Sequence, residues 1–469
     1  MKRVPSSPDR PNRVGGALGP LLTDLYQLTM AQVYFERSMQ GEAVFDLFVR
    51  TLPRTRNFLL AAGLAQVIEY LEGFRFQAAE IEYLSSLGRF SNAFLDYLSA
   101  LRFSGSVIAM PEGTPFFAGE PILRVTAPLI QAQLIESRLL NLMHLQTLIA
   151  SKAARFVLIA SGRRLIDFGM RRAHGAEAAL YGARAAYLAG FDGTATVQAG
   201  ERFGLPLSGT MAHSFIEAHG SEQQAFRAFV NASQAPTTLL IDTYDSRRAA
   251  RRVVELVRER RAAGLPERVG SVRIDSGDFI REARAVRAIL DEGDCKEVQI
   301  VLSGGLDEQR VQRMLQAGTP VDAFGIGTDL MVSQDAPALD MAYKLASYEG
   351  QPRRKRSPGK ETLPGCKQVY RHRLPSGELR LDYIGLEDEV LEGEPLLQPM
   401  MREGRSLSQP SLVESRRYCL EQMQWLPAPL RALESPAADP AQHGQAYPVE
   451  VSAQLLQLAA EFDARNQAE

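Results

Sequence analysis

The sequence predicts an α/β protein whose largest domain is a closed (β/α) barrel, and three observations lead there. Seven segments in the middle of the chain share one form, an apolar run that ends in glycine, hydroxyl or charged residues before a helical pattern. They are Leu165 to Arg171, Ala189 to Thr194, Leu207 to Phe215, Leu239 to Asp245, Val272 to Asp278, Ile300 to Gly305 and Ala323 to Thr328. Helical stretches separate most of them, at Ala176 to Ala189, Ser246 to Ala263, Phe279 to Glu292 and Asp307 to Gln316, and strands that alternate with helices pair in parallel. Finally, nearly every strand end is polar. A ring of loops around one mouth accounts for that better than the single switch point of an open doubly wound sheet, although seven strands are one short of a regular barrel.

At 469 residues the chain exceeds what one core supports, so a smaller domain should accompany the barrel. Apolar content of 45% and charged content of 23% suit a soluble enzyme, and 37 glycines suit many strand-to-helix turns. Lys plus Arg (53) nearly balances Asp plus Glu (55), so no global field draws the protein to nucleic acid or to an anionic membrane. Any anion site must be local. The three cysteines, Cys295, Cys366 and Cys419, lack metal-ligand spacing and read as free thiols of a cytoplasmic protein.

Residues 1–20, rich in Pro, Arg, Gly and Ser, read as a flexible tail, neither signal peptide nor membrane anchor. Residues 21–130 read as an α+β domain. Thr23 or Asp24 caps a helix that carries Leu25, Tyr26, Leu28 and Met30, and Tyr26 in its first turn has a core tyrosine as its plain reading. Ala43 to Arg50 reads as a strand, Arg50, Arg54 and Arg56 as a solvated turn, and Ser104 to Pro128 as short strands with turns. The barrel is assigned residues 131–345, entered by a helix from Leu129 to Ala154 whose apolar face is broken by Glu136, Arg138 and His144, which argues against a membrane span. Residues 346–469 form a C-terminal segment expected to pack on both other domains. It carries a basic loop, Gln351 to Lys360, read as solvated surface, a strand at Leu381 to Gly385, and a closing amphipathic helix from Val451 to Phe462.

The chemistry should gather at the strand ends. Thr210 and His213 follow a small-residue run, and a histidine there is either a satisfied structural residue or a nucleophile available near neutral pH. Ser303-Gly304-Gly305 and Gly325-Ile326-Gly327-Thr328 stand on the last two strands, where glycines let backbone N–H groups approach a phosphate. Alternation sets Arg273 and Asp275 on one face of their strand. They are an ion pair by one reading; beside a phosphate site, Asp275 and Asp242 would instead accept ribose hydroxyls or order Mg²⁺ through water. Phe168 and Arg171 offer an aromatic face and a cation to a flat, anionic ring.

These segments resemble, in order, the nicotinate phosphoribosyltransferase family. The likeness runs from about Leu21 to Arg371 through Thr23-Asp24-Leu25-Tyr26-Gln27-Leu28-Thr29-Met30, Phe168-Gly169-Met170-Arg171-Arg172-Ala173, Gly190-Phe191-Asp192-Gly193-Thr194, Gly209-Thr210-Met211-Ala212-His213-Ser214, Arg273-Ile274-Asp275-Ser276-Gly277-Asp278, Gly325-Ile326-Gly327-Thr328 and Thr362-Leu363-Pro364-Gly365-Cys366-Lys367. The resemblance implies an irregular barrel of the type II phosphoribosyltransferase kind, in a homodimer with a shared active site. It implies that nicotinate and phosphoribosyl diphosphate give nicotinate mononucleotide and diphosphate, coupled to ATP as co-substrate and with Mg²⁺, as an entry to NAD. His213 would be phosphorylated, Asp275 and Asp242 would join it in catalysis, and Phe168, Arg171, Thr210 and Arg273 would hold nicotinate, with Tyr26 contributed by the neighbouring subunit. Ser303, Gly304, Gly305, Gly325, Gly327 and Thr328 would bind phosphate. Ala195 stands where relatives that use nicotinamide carry an aspartate, which implies nicotinate as the substrate.

Overall fold

The computed structural model describes residues 19–434 and 447–465, so the expected tail lies outside the described residues but for its last two. The chain forms two compact units. One is Leu148–Ala338 with Arg431–Ala438; the other is Met1–Thr147, Leu339–Leu430 and Asp439–Glu469.

The first of these units is built on a six-stranded sheet. Its strands are Arg164–Asp167, Gly193–Thr194, Thr237–Leu240, Val269–Ile274, Gln299–Ser303 and Ala323–Ile326. Every pairing in it is parallel. The order across the sheet is second, first, sixth, fifth, fourth, third, so the first strand pairs with the last. Central strands have apolar residues on both faces, with Ile300, Val301, Leu302, Ala323, Phe324 and Ile326 all buried, as a sheet covered on both sides requires.

The helices between these strands have physical starts and faces. Asp245, Asp278 and Asp307 each accept a backbone N–H from three residues on, capping Ser246–Ala262, Phe279–Glu292 and Glu308–Gln316. Ser246–Ala262 buries Ala249, Ala250, Val253, Val254, Leu256 and Val257, a stripe at helical spacing, while its arginines point mostly to water.

The expected seventh strand is corrected to a single bridge. Leu207 alone pairs with Thr194, held by Thr194 N–H to Pro206 O and Ser208 N–H to Thr194 O, both at 3.0 Å. Pro206 has no N–H with which to extend a ladder, and Leu207 is 55% exposed, so the run at 207–212 has neither the hydrogen bonds nor the burial of a strand. This irregular segment then donates the Thr210 hydroxyl to Thr238 O at 3.0 Å. It thereby touches the second strand at one end and the third at the other.

The other unit has a seven-stranded sheet in which Glu42–Val49 pairs antiparallel with Leu123–Pro128 on one side and Met341–Tyr348 on the other. A four-stranded sheet contains Lys367–Arg373 and Leu379–Leu386. Two buried ion pairs lie in this unit, Lys367 with Asp46 at 2.7 Å and Arg371 with Asp382 at 2.6 Å. The helix Glu136–Ile159 is long and apolar enough to span a bilayer, but 72% of its apolar window is buried within the protein.

Candidate active site

The carboxyl ends of the parallel strands surround a cavity of about 410 Å³. Alternation places Arg273 and Asp275 on one side of their strand, and the next strand brings Ser303 level with them. Arg273 Nε donates to Ser303 Oγ at 2.6 Å, Ser303 Oγ donates to Asp275 Oδ1 at 2.6 Å, and Arg273 Nη2 donates to the same carboxylate. These charge-assisted bonds hold the guanidinium in one orientation although it is only 9% exposed. Its Cζ lies 5.5 Å from the Phe168 ring centroid.

The Phe168 ring has room because residue 325 lacks a side chain. A Cβ there would stand 2.5 Å from ring atoms Cδ2 and Cε2. The ring and the guanidinium thus make one wall, aromatic and cationic. Beneath it Asp167, almost fully buried, accepts Gly169 N–H and Thr194 Oγ1–H, both at 2.7 Å, and sets the turn that presents Phe168. Burial raises the Asp167 pKa, and the two hydrogen bonds oppose that rise.

Two glycine turns also line the cavity. Gly304 has φ +93° and Gly305 φ +58°, and Arg310 Nη1 closes the turn by donating to Gly305 O at 2.7 Å. Gly327 precedes the short helix Thr328–Met331. Four arginines (171, 172, 273 and 310) line the cavity against three aspartates (275, 307 and 329), so the local balance favours an anion even though the whole chain is near neutral.

Of the residues expected in the site, Phe168, Arg171, Arg273, Asp275, Ser303, Gly304, Gly305, Gly325, Gly327 and Thr328 all line this cavity. Thr210, His213 and Asp242 do not line it: Thr210 meets the strand Thr237–Leu240 at Thr238, and His213 and Asp242 stand beyond that strand's carboxyl end. Asp242 Oδ2 accepts Asp275 N–H at 2.9 Å and Ser276 Oγ–H at 2.6 Å, while its Oδ1 is buried without a hydrogen-bond partner. His213 begins the helix His213–Glu217, with Nδ1 3.1 Å from Thr243 Oγ1. Ala195 is exposed, donates to Asp167 O at 2.9 Å and lies outside the cavity lining.

Tyr26 belongs to the other unit. It is on the helix Leu25–Glu36, 53% exposed, so the core reading of this tyrosine is corrected. Its hydroxyl accepts from Gln27 Nε2 at 3.0 Å, and burial together with the charge of Glu136 raises its pKa.

Sequence reasoning missed Arg172, Leu306, Asp307, Arg310, Asp329 and Gln334 on the cavity wall. Arg310 was findable, since it is three residues past the capping Asp307 and so in the first turn after the Ser-Gly-Gly loop. Among the described residues no group of three His, Cys, Asp or Glu side chains could cage a metal ion. The Asp242 and Asp275 pair, with one orphaned buried oxygen, fits an ion that takes its other ligands from phosphate and water.

Residues 21–144 match the family described as nicotinate phosphoribosyltransferase (NAPRTase) N-terminal domain, and residues 163–353 match the nicotinate phosphoribosyltransferase (NAPRTase) family. A nicotinate phosphoribosyltransferase of Mycobacterium tuberculosis is 48% identical over 441 residues, 94% of this chain and 93% of its own. The Mus musculus nicotinate phosphoribosyltransferase is 32% identical, over 95% of this chain and 97% of its own. Among solved structures, human nicotinic acid phosphoribosyltransferase aligns with a TM-score of 0.80 at 30% identity, covering 94% of this chain and 99% of that one. The nicotinate-nucleotide pyrophosphorylase of Pyrococcus furiosus aligns with a TM-score of 0.71 at 27% identity, covering 87% and 95%.

Proposed function

The chain belongs to the nicotinate phosphoribosyltransferase family, and from that premise we propose how its residues divide the work. The reaction is phosphoribosyl transfer to nicotinate, a step of NAD biosynthesis. The observation that carries the assignment of roles is one cavity lined by the Phe168 ring, the Arg273 guanidinium and the Gly304-Gly305 and Gly327-Thr328 turns.

Nicotinate lies against Phe168, its carboxylate held by Arg171 with Arg273 nearby, and Thr210 is held on the neighbouring strand at Thr238. The pyridine nitrogen donates its lone pair to the anomeric carbon of phosphoribosyl diphosphate. A C–N bond forms as the C–O bond to diphosphate breaks, and the leaving group keeps that electron pair. Backbone N–H groups of the Ser303-Gly304-Gly305 turn and of Gly327 and Thr328 take the phosphate oxygens, aligned before reaction and so without reorganisation, while Gly325 gives them room beside Phe168. Asp275 and Asp242 accept ribose hydroxyls or hold Mg²⁺, which when bound offsets the charge of diphosphate.

ATP phosphorylates His213. The contact of Nδ1 with Thr243 leaves Nε2 as the nucleophile when Nδ1 carries the proton. We read the parallel sheet as an irregular barrel. Its first and last strands pair, and the segment at 207–210 spans the gap between the second and third. Tyr26 completes the site of a neighbouring subunit in a homodimer. The protein works in the cytoplasm, a reading supported by three free cysteines.

An assay of labelled nicotinate with and without ATP tests these roles. The unaltered protein should form product faster with ATP. His213→Ala should lose ATP hydrolysis and the ATP-driven gain while keeping a slow ATP-independent transfer, and full ATP stimulation in that variant would exclude the phosphohistidine.

A further inference from the structure

Beneath the glycine turns lies a charge cluster that the reaction as described does not use. Lys152, on the helix Glu136–Ile159, is wholly buried, with its ammonium 2.6 Å from Glu308, 2.7 Å from Asp329 and 2.9 Å from Asp335. Arg155, one helical turn on, meets Glu308 at 2.7 Å. Glu308 is the first residue of the helix that follows the Ser303-Gly304-Gly305 turn. Asp329 is the second residue of the helix that follows Gly327 and itself lines the cavity. One buried cation therefore reaches behind both turns that face the anion.

The presence of Asp329 in that wall is a physical problem. An acidic side chain bordering an anion site repels the anion across a few ångströms. A lysine is rarely held without water unless its charge is compensated. Each anomaly answers the other. We infer that Lys152 is a positioning residue for the phosphate-bearing substrate: from beneath the cavity it offsets the charge of Asp329, so that an acidic side chain in the wall of an anion site repels the anion less. The inference rests on the reading of this cavity as the phosphate site. Arg155 takes up part of the charge of Glu308, which leaves Lys152 for Asp329 and Asp335. In keeping with the crowding of carboxylates, burial and Glu308 raise the Asp329 pKa to about 6, against the pull of Lys152.

The test is steady-state kinetics at pH 8.5 and 9.5, above the Asp329 pKa of about 6 in the unaltered protein, the higher pH because loss of Lys152 raises that pKa further. Lys152→Met should raise the KM for phosphoribosyl diphosphate by about tenfold or more, the size of one uncompensated charge nearby, and leave the KM for nicotinate within about twofold. Adding Asp329→Asn to Lys152→Met should bring the phosphoribosyl diphosphate KM back to within about threefold of the unaltered protein, a suppression that a purely structural role for Lys152 would not give. An unchanged KM in Lys152→Met, or no suppression in the double variant, overturns the inference. Should Lys152→Met not fold, Asp329→Asn alone decides: an equal or lower phosphoribosyl diphosphate KM supports the inference, and a rise of about threefold or more refutes it. Failure of the underlying reading is separate. Arg310→Gln, on the cavity lip, with an unchanged phosphoribosyl diphosphate KM would refute the phosphate site whatever Lys152 does.

Discussion

A Cβ on residue 304 would lie 2.0 Å from the carbonyl oxygen of Asp275, on a backbone with φ +93°. Both facts forbid a side chain at this turn of the cavity lining. Gly304→Ala should therefore cost about 1 to 3 kcal/mol of stability and raise the KM for phosphoribosyl diphosphate. Urea unfolding with parallel kinetics checks this, and a variant equal to the parent in both would show the turn to be freely deformable. We propose that a second residue, Ala195, bears on which pyridine is used. Ala195 is one step beyond the paired Asp167 and Thr194, level with Phe168. Carboxylates about 4 Å apart at an effective dielectric of ~20 repel by about 4 kcal/mol, so Ala195→Asp should lower kcat/KM for nicotinate by at least about tenfold and spare nicotinamide. Comparable efficiency of the unaltered protein on both pyridines would contradict the assignment. Residue types were legible here where motif and strand end coincide, as at Arg273 and Asp275. Lys152 was not, because its partners lie 156, 177 and 183 positions away in sequence and nothing local in an apolar helix names them.

Element boundaries were legible where hydrophobic period and capping agree. Ala176–Ala189 and Phe279–Glu292 run as the sequence pattern indicates, and Asp245, Asp278 and Asp307 mark helix starts that any Asp before an apolar-periodic run suggests. Leu207 misled because a short apolar run with small neighbours looks like a strand, whereas burial, a tertiary property, decides. The four-residue helix Thr328–Met331 has a pH dependence of its own. Asp329 has a folded pKa of about 6, above its ordinary value of 3.8, so the folded protein holds this proton more tightly than the unfolded chain. Stability from that proton is complete below about pH 4 and is lost as pH rises to 6. Asp329→Asn lacks the loss. Its urea midpoint relative to the parent should be higher at pH 7.5 than at pH 4.5, and a gap that does not change with pH would show that Asp329 titrates normally.

At the scale of the whole molecule, an exposed apolar strip asks for a partner. Leu22, Leu25, Tyr26 and Val33 are 42%, 45%, 53% and 49% exposed along one short stretch, more apolar surface than a solvent-facing helix usually leaves bare. A second copy of the chain would cover it, and in a two-fold dimer each Tyr26 would serve the other subunit's cavity. That arrangement has a kinetic signature. Tyr26→Ala should weaken nicotinate binding by about 0.5 to 1.5 kcal/mol through loss of an aromatic stack, while Arg273→Met should be nearly inactive for want of the cation that lies against Phe168 and orders Ser303 and Asp275. When the two variants are unfolded, mixed in equal amounts and refolded, half of the dimers pair one subunit of each kind. With a shared site, one cavity of every mixed dimer has an intact Arg273 and an intact Tyr26, and the other lacks both. At subsaturating nicotinate the mixture should then exceed the average of the two parent variants by about threefold. Self-contained sites would give that average and no more, and sedimentation showing a fully active monomer would remove the shared site altogether.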